Sequence, residues 1–183
     1  MTDATSIFDS PLGPLFARVS NGCMVELSFY SRARRAGYGS TASHDDAELL
    51  RTIQIQLAEY FGRKRTRFEL PIQLHGPTFQ RQVWEALCGI PYGCTVSYGD
   101  LAAELGVPGS ARAVGAANGA NPIAIVVPCH RVIGSDGRLV GYGGGLDRKQ
   151  FLLDLENVAK PQLLQWVPNA TRGSLLTGTE NTL

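Results

Sequence analysis

Apolar positions along the chain change their spacing twice, and each change marks a different kind of element. Two apolar runs, Gly13 to Val19 and Cys23 to Tyr30, flank Asn21-Gly22, a dipeptide that signals a β-hairpin turn. A stretch rich in Arg, Gly and Ser from Ser31 to Ser43 reads as a linker. Beyond it Leu50, Ile53, Leu57 and Phe61 recur at helical spacing until Gly62 supplies a stop. Thr66 to Ile72 reads as one more strand.

Around His75-Gly76-Pro77 the character shifts to helices, and we place a domain boundary there, giving units 1–75 and 76–160 and a tail over 161–183. Thr78 can cap a helix whose Phe79, Val83 and Leu87 form an apolar face, ended by the Gly89–Gly93 turn. Ser97-x-x-Asp100 has the form of a capping box and opens a short helix with Leu101, Ala102 and Leu105 inward. A turn at Gly106–Gly109 and a second helix from about Ser110 to Gly119 complete a pair that reads as a helix-turn-helix. The apolar segment Ile123–Val127 reads as a buried strand, Asp136-Gly137 as the turn of a small hairpin, and Asp147–Asn157 as the last helix.

Composition narrows the class. Of 183 residues 44% are hydrophobic and 18% charged, which excludes disordered, collagen-like and coiled-coil chains. The longest apolar run, Ile123 to Pro128, falls far short of the roughly 20 residues a spanning helix needs. Met1 to Ser10 carries Asp3 and Asp9 with no basic start or apolar stretch, so the expectation is a cytoplasmic protein with no membrane partner. Cys23, Cys88, Cys94 and Cys129 contain no Cys-x-x-Cys pair and read as thiols. A net charge of +1, from 17 basic and 16 acidic residues, does not advertise nucleic acid. Arg63-Lys64-Arg65 could touch phosphate, but cations just past a helix end also suit its macrodipole, and a solvated surface is the favoured reading.

Two features carry candidate chemistry. Cys129 follows an apolar segment and a proline and adjoins His130; a neighbouring imidazole can raise the thiolate fraction of a thiol whose ordinary pKa is about 8.5. A buried structural cysteine is the alternative. Cys23, His44 and His75 lack ligand spacing, so neither a metal nor a cofactor is expected. In the second helix of the pair, Ala111, Ala113, Gly115, Ala116, Ala117 and Gly119 are all small, and Arg112 is the one long side chain. Such a slim helix suits a minor groove about 6 Å wide, or close packing inside the domain; the residues leave both open.

The pentapeptide Pro128-Cys129-His130-Arg131-Val132 is preceded by Asn121-Pro122 and followed by Tyr142 and Gly144-Gly145-Leu146. Together with Ser97-Tyr98-Gly99 and Ala111-Arg112-Ala113-Val114, it resembles the O6-alkylguanine-DNA alkyltransferases, also called methylated-DNA–protein-cysteine methyltransferases. The resemblance runs from about Ser10 to Glu156, with strong motifs only after Gly76. It implies an α+β protein: an N-terminal ribonuclease-H-like sheet-and-helix domain, then an alkyltransferase domain with a DNA-binding helix-turn-helix. It implies direct DNA repair, in which a methyl or other alkyl group passes irreversibly, once per molecule, from O6 of guanine to Cys129; O4 of thymine is a second candidate donor. The guanine would first be flipped out of double-stranded DNA.

By the same resemblance Cys129 is the nucleophile, His130 its base through an ordered water, and Glu156 the group that orients His130. Tyr98 helps rotate the nucleotide and donates to guanine N3, and Arg112 is the finger that fills the gap in the duplex. Ser110, Ala111, Gly115 and Asn118 join them at the minor groove. Val132, Tyr142, Gly143 and Gly144 line the pocket, carbonyls near Cys129 and Val132 accept from the guanine amino group, and Asn121 and Arg131 are supports. The protein would act as a monomer, with clustering on DNA left open. One departure is Gly143, where many members carry serine, which bears on pocket width. Two other classes compete: a DNA-binding regulator that uses only the helix pair, and a thiol hydrolase using Cys129, His130 and Glu156.

Overall fold

A computed structural model describes residues 3–30 and 43–156; residues 31–42 of the linker read at Ser31–Ser43, the tail and Asn157 lie outside them. Three antiparallel strands, β1 (Asp3–Phe8), β2 (Leu15–Ser20) and β3 (Cys23–Phe29), form a sheet in that order. The predicted hairpin is β2–β3: Ser20 pairs with Cys23, and Asn21 and Gly22 adopt φ of 51° and 72°, the left-handed pair that a two-residue turn of this hand requires. β1 was not anticipated. Along β2 Leu15, Ala17 and Val19 are buried in alternation with their neighbours, and α1 (His44–Phe61) covers the sheet with Leu50, Ile53, Leu57 and Tyr60. Ser43 caps α1 by accepting from the Asp46 amide, while the Asp46 carboxylate accepts the Gly22 N–H at 2.9 Å and ties the hairpin to the helix start.

α1 stops at Gly62 as expected, but the left-handed position falls one residue later. Gly62 is the cap, with φ of −79°, and Arg63 takes the left-handed position at 56°. The Lys64 amide bonds the Glu59 carbonyl and the Arg63 amide the Tyr60 carbonyl, the paired closure of a Schellman motif. Arg65 pairs with Glu59 at 2.7 Å, so part of the basic trio serves the fold. Thr66–Ile72 is not a strand: Ile72 makes one bridge to Met24, because Pro71, between Leu70 and Ile72, has no N–H to give.

The second part is helical. α2 (Thr78–Cys88) buries Val83, Trp84, Ala86 and Leu87. Its cap is Pro77, and Thr78 lies inside the helix without a capping bond, which corrects the expected role of Thr78. Two short parallel strands, β4 (Val96–Ser97) and β5 (Val132–Ile133), pair with each other. From β4 the chain enters α3 (Tyr98–Glu104), capped as expected by Ser97 accepting from the Asp100 amide; the Ser97 hydroxyl also donates to the Asp100 carboxylate. A turn with left-handed Gly106 and Gly109 leads to α4 (Ala111–Gly119), and α5 (Leu146–Leu155) ends the described chain. Ile123–Val127 is not a strand either. Ile125 sits at φ 72°, which breaks the extension after a single bridge from Ile123 to Leu27 of β3. Asp136-Gly137 does turn the chain, closed by the Gly134 amide on the Arg138 carbonyl at 2.9 Å, but no hairpin strands form because β5 pairs with β4 instead.

One apolar core joins sheet, α1 and the later helices, with Leu27, Ile53, Trp84, Leu101, Ile123 and Leu152 all buried in it. The architecture is therefore mixed helix and sheet, and among the described residues no helix is long and apolar enough to cross a membrane. Arg63→Gly relieves a side chain held in the left-handed region and should raise folding stability by about 0.5–1 kcal/mol; a urea titration of both proteins would register the gain, and no gain would mean that Arg63 contacts offset the strain.

Candidate active site

Cys129 opens a single 3-10 turn, Cys129–Arg131, between the Ile123–Val127 segment and β5. It is nearly buried, and its carbonyl accepts from the Asn118 amide at 3.2 Å. Burial pushes its thiol pKa up; a hydrogen bond from the Asn121 side chain and the charge of Lys149 pull the other way without winning. The resting group is thus a neutral thiol, and becoming a thiolate requires a base.

His130, the next residue, is wholly buried and places Nε2 3.0 Å from Glu156 Oε1. Burial holds its imidazole below the ordinary value, against the pull of Glu156. Burial also opposes charge on Glu156, but the hydrogen bonds and charges of His130 and Arg131 together outweigh it and hold the carboxyl well below the usual carboxylate range. An ionised carboxylate only accepts, so Nε2 of the neutral ring carries the hydrogen and Nδ1 carries the lone pair. Nδ1 has no partner among the described residues.

Glu156 is the C-cap of α5 rather than a residue of the helix. Arg131 grips it through Nε and Nη2, both at 2.9 Å, and anchors Nη1 on the Ile90 carbonyl. The Gly93 amide donates to Oε2 at 3.1 Å, and the Tyr60 hydroxyl donates to Oε1 at 2.7 Å. Asn121 donates to the Val127 carbonyl and accepts from the Ile123 amide, bracing the segment before the thiol as expected of a support.

Two buried side chains of this cluster escaped the sequence reading. Tyr60 is one. Lys149 is the other: it is fully buried on α5, with Nζ donating to the Val132 carbonyl at 2.6 Å and to that of Val140 at 2.9 Å, and burial lowers its pKa to about 8. The one available signal was spacing, since Lys149 falls in step with Leu152 and Glu156 on the inward face of α5.

Cys129 lines a cleft of ≈860 Å³ together with Asn118, Asn121, Tyr142, Gly143 and Gly144, with Phe29 and Arg148 packed beside that loop and further residues of β2 and β3 completing the lining. A Cβ on Gly143 would meet only the Gly119 carbonyl at 3.6 Å, ordinary contact, so that position leaves space a serine would occupy. A Cβ on Gly144 would collide with the Phe29 ring. Arg148 lies over that ring at 4.5 Å and donates to the Gly144 and Leu12 carbonyls, closing the clasp. The Tyr142 hydroxyl is buried without a partner among the described residues, and burial, with the Cys129 charge next, raises its pKa. Val132 does not line the cleft: its side chain is in the core and its carbonyl already accepts from Lys149.

Tyr98, at the start of α3, donates from its hydroxyl to the Val140 carbonyl at 3.2 Å. Burial, with the Cys129 charge next, moves its pKa up to about 12. Beside it runs α4. Arg112, Ala113, Ala116 and Gly119 face solvent, Ser110 and Ala111 are half-exposed, and Gly115 packs against the Tyr98 ring. The small residues therefore serve both ends, an outer surface and a close inner contact. Asn118, expected on the outer surface, is instead buried with its amide between the Cys129 carbonyl and the Tyr98 hydroxyl. Among the described residues no cluster of His, Cys, Asp or Glu is placed to hold a metal.

Residues 78–158 match the family model described as 6-O-methylguanine DNA methyltransferase, DNA binding domain. A methylated-DNA–protein-cysteine methyltransferase of Mycobacterium tuberculosis is 46% identical over 155 residues, 84% of this chain and 92% of the relative. One of Mycolicibacterium paratuberculosis is 62% identical over 109 residues, 60% of this chain and 66% of the relative. The solved structure of the M. tuberculosis protein OGT in complex with DNA superposes with a TM-score of 0.74 at 44% identity, covering 88% of this chain and 96% of that one.

The electrostatics set a direction with pH. His130 resists protonation when folded, so as pH falls through about 6.5 the unfolded state gains a proton the folded state lacks, and stability drops. His130→Asn should flatten the pH dependence of the urea midpoint between pH 7 and 5; an unchanged slope would mean the imidazole titrates freely in the fold. Gly144→Ala should cost about 1–3 kcal/mol through overpacking against Phe29, and less when combined with Phe29→Ala; equal losses in both backgrounds would remove the clasp from the account.

Proposed function

The chain belongs to the methylated-DNA–protein-cysteine methyltransferases, and from that premise we propose that it repairs DNA by moving an alkyl group from O6 of guanine onto Cys129, once per molecule. The observation that carries the assignment of roles is the His130 ring, with Nε2 bonded to a buried, ionised Glu156 and Nδ1 without a partner among the described residues, next in the chain to Cys129, which lines a cleft. The order is that of a nucleophile, a base and an orienting group.

In this reading the thiol proton passes through a bridging water to His130 Nδ1 while the Nε2–H stays on Glu156. The thiolate attacks the alkyl carbon in line; the S–C bond forms as the C–O6 bond breaks, and the electron pair leaves on guanine. Tyr98 donates its hydroxyl proton to N3 of the departing base and is reprotonated from His130. In sum the thiol proton goes to guanine and the alkyl group to sulfur. The thioether is neutral and suits a buried site, and no second nucleophile follows to release it. The carbonyl of Cys129 already accepts one bond, from Asn118, so the guanine amino group would use its second lone pair; Val132, which does not line the cleft, is left out of that contact.

The fit to DNA is argued from α4. Its outward Ala113, Ala116 and Gly119 would let the helix seat in a minor groove, and exposed Arg112 would fill the space of a flipped nucleotide. Under this reading α3 and α4 act as a helix-turn-helix, and β1–β3 with α1 form a ribonuclease-H-like unit ahead of a boundary near residue 76. The protein works as a monomer in the cytoplasm. The room at Gly143 favours acceptance of alkyl groups larger than methyl.

Duplex DNA carrying labelled O6-methylguanine, mixed with protein in known ratio, should leave one label per molecule on Cys129, and Cys129→Ala should leave the lesion intact. Label-free protein with unrepaired DNA would return the regulator reading, and repeated turnover on an ester would return the hydrolase. Arg112→Ala should slow repair in duplex far more than transfer from the free base; equal losses would exclude the finger role. Gly143→Ser should lower the benzyl-to-methyl rate ratio, and an unchanged ratio would sink the pocket-width argument.

A further inference from the structure

Tyr60 lies in the last turn of α1, 96 residues before Glu156, yet its hydroxyl ends on that carboxylate. The ring is wholly buried against Phe61, Phe68 and Tyr92, with centroids 5.5, 5.3 and 6.2 Å away. A phenylalanine would fill that space equally well. Burying a hydroxyl is unfavourable unless it finds a partner, and this one donates at 2.7 Å to Glu156 Oε1, the same oxygen that holds His130 Nε2 and Arg131 Nη2. With Arg131 Nε and the Gly93 amide on Oε2, five donors meet a group that offers about four lone-pair sites. The donors on Oε1 therefore share its charge, and each weakens the others.

We infer that Tyr60 is a positioning residue for the transfer reaction: its hydroxyl fixes the Glu156 oxygen that carries the His130 Nε2–H, which makes the end of α1 part of the active site. The inference rests on the proposed role of His130 as base. By drawing charge from Oε1, the phenol limits how firmly Glu156 holds an imidazolium, and so helps keep His130 neutral with its Nδ1 lone pair available. Burial, with Glu156 next, raises the phenol pKa far out of the working range, so the hydroxyl acts as a fixed donor and never as a competing acid. The other ionisable groups facing the pair are Tyr92 from the loop after α2, Arg131 from the 3-10 turn and Lys149 from α5.

The test is the pH profile of single-turnover repair of an O6-methylguanine duplex, run on the full chain with Tyr60→Phe, Phe68→Leu and Glu156→Gln. Tyr60→Phe should keep one label per molecule but move the acid limb of the rate to higher pH by about half a unit or more, the scale of losing one charge-assisted hydrogen bond. Phe68→Leu, which disturbs the ring packing and spares the hydroxyl, should lower thermal stability and leave the limb in place. Protein with 3-fluorotyrosine at position 60, a stronger donor, should shift the limb the opposite way, and decides the matter even if Tyr60→Phe does not fold. A wild-type limb in both position-60 proteins, while Glu156→Gln moves it, would overturn the role of Tyr60 alone. A limb unmoved by Glu156→Gln would overturn the His130–Glu156 reading and this inference with it.

Discussion

A single buried carboxylate organises this molecule. Glu156 is 2% exposed, and a charge so placed is tolerated only when partners replace the water it has lost. Those partners arrive from three separate places: Tyr60 from α1, Gly93 from the loop after α2, and Arg131 and His130 from the turn before β5, while Glu156 itself closes α5. Each segment must be in position before the charge is satisfied. Site and fold are consequently one requirement, because the bond that orients His130 belongs to the same set that makes the carboxylate bearable.

The rest of the site is irregular backbone, held by side chains in place of a ladder. The loop from Gly134 to Gly145 carries Tyr142 and Gly143 to the cleft without forming a strand. Buried carbonyls must still find donors. Lys149 supplies them to Val132 and Val140 from below, and Arg148 supplies Gly144 and Leu12 from the side. The two cations are neighbours on α5 but face different ways, one into the core and one across Phe29. Lys149 thus carries its charge in the interior beside Cys129, where it favours a thiolate that burial disfavours. The balance leaves the thiol neutral until a base acts, which protects a buried nucleophile from chance chemistry.

Elements with a local cause were legible in the sequence. The β2–β3 hairpin follows from Asn21-Gly22, α1 from its apolar spacing, and α3 from Ser97 and Asp100. Strands expected at Thr66–Ile72 and Ile123–Val127 failed where a single residue vetoed an otherwise apolar run, Pro71 by lacking a donor and Ile125 by turning left-handed. Among site residues, Cys129, His130 and Arg131 stand together in the sequence, and the chain folds Glu156, Asn121 and Tyr98 around them. Tyr60 and Lys149 were hidden for a different reason. Periodicity places each on an inward face, but their partners lie 96 and 17 residues away, and no local pattern encodes a contact across the fold. Asn118 shows the reverse error: a polar residue on a surface helix was read as outward, when its amide is needed inside to hold the Cys129 carbonyl.

The placement of Tyr60 and Phe29 also bears on what the first half of the chain is for. The strong motifs and the family match begin after Gly76, which invites the view that the chemistry is complete in the second half. Yet identity with the M. tuberculosis protein runs over 84% of this chain, and two contacts give a physical reason. Without α1, Oε1 of Glu156 would lose the donor that Tyr60 supplies. Without β3, Gly144 would lose the ring it packs against, and Arg148 the surface it lies over. The second half contains Cys129 and His130, but the carboxylate that holds His130 and the loop that lines the cleft are each held from the first. A unit that supplies no reacting atom can still set the geometry in which the atoms react.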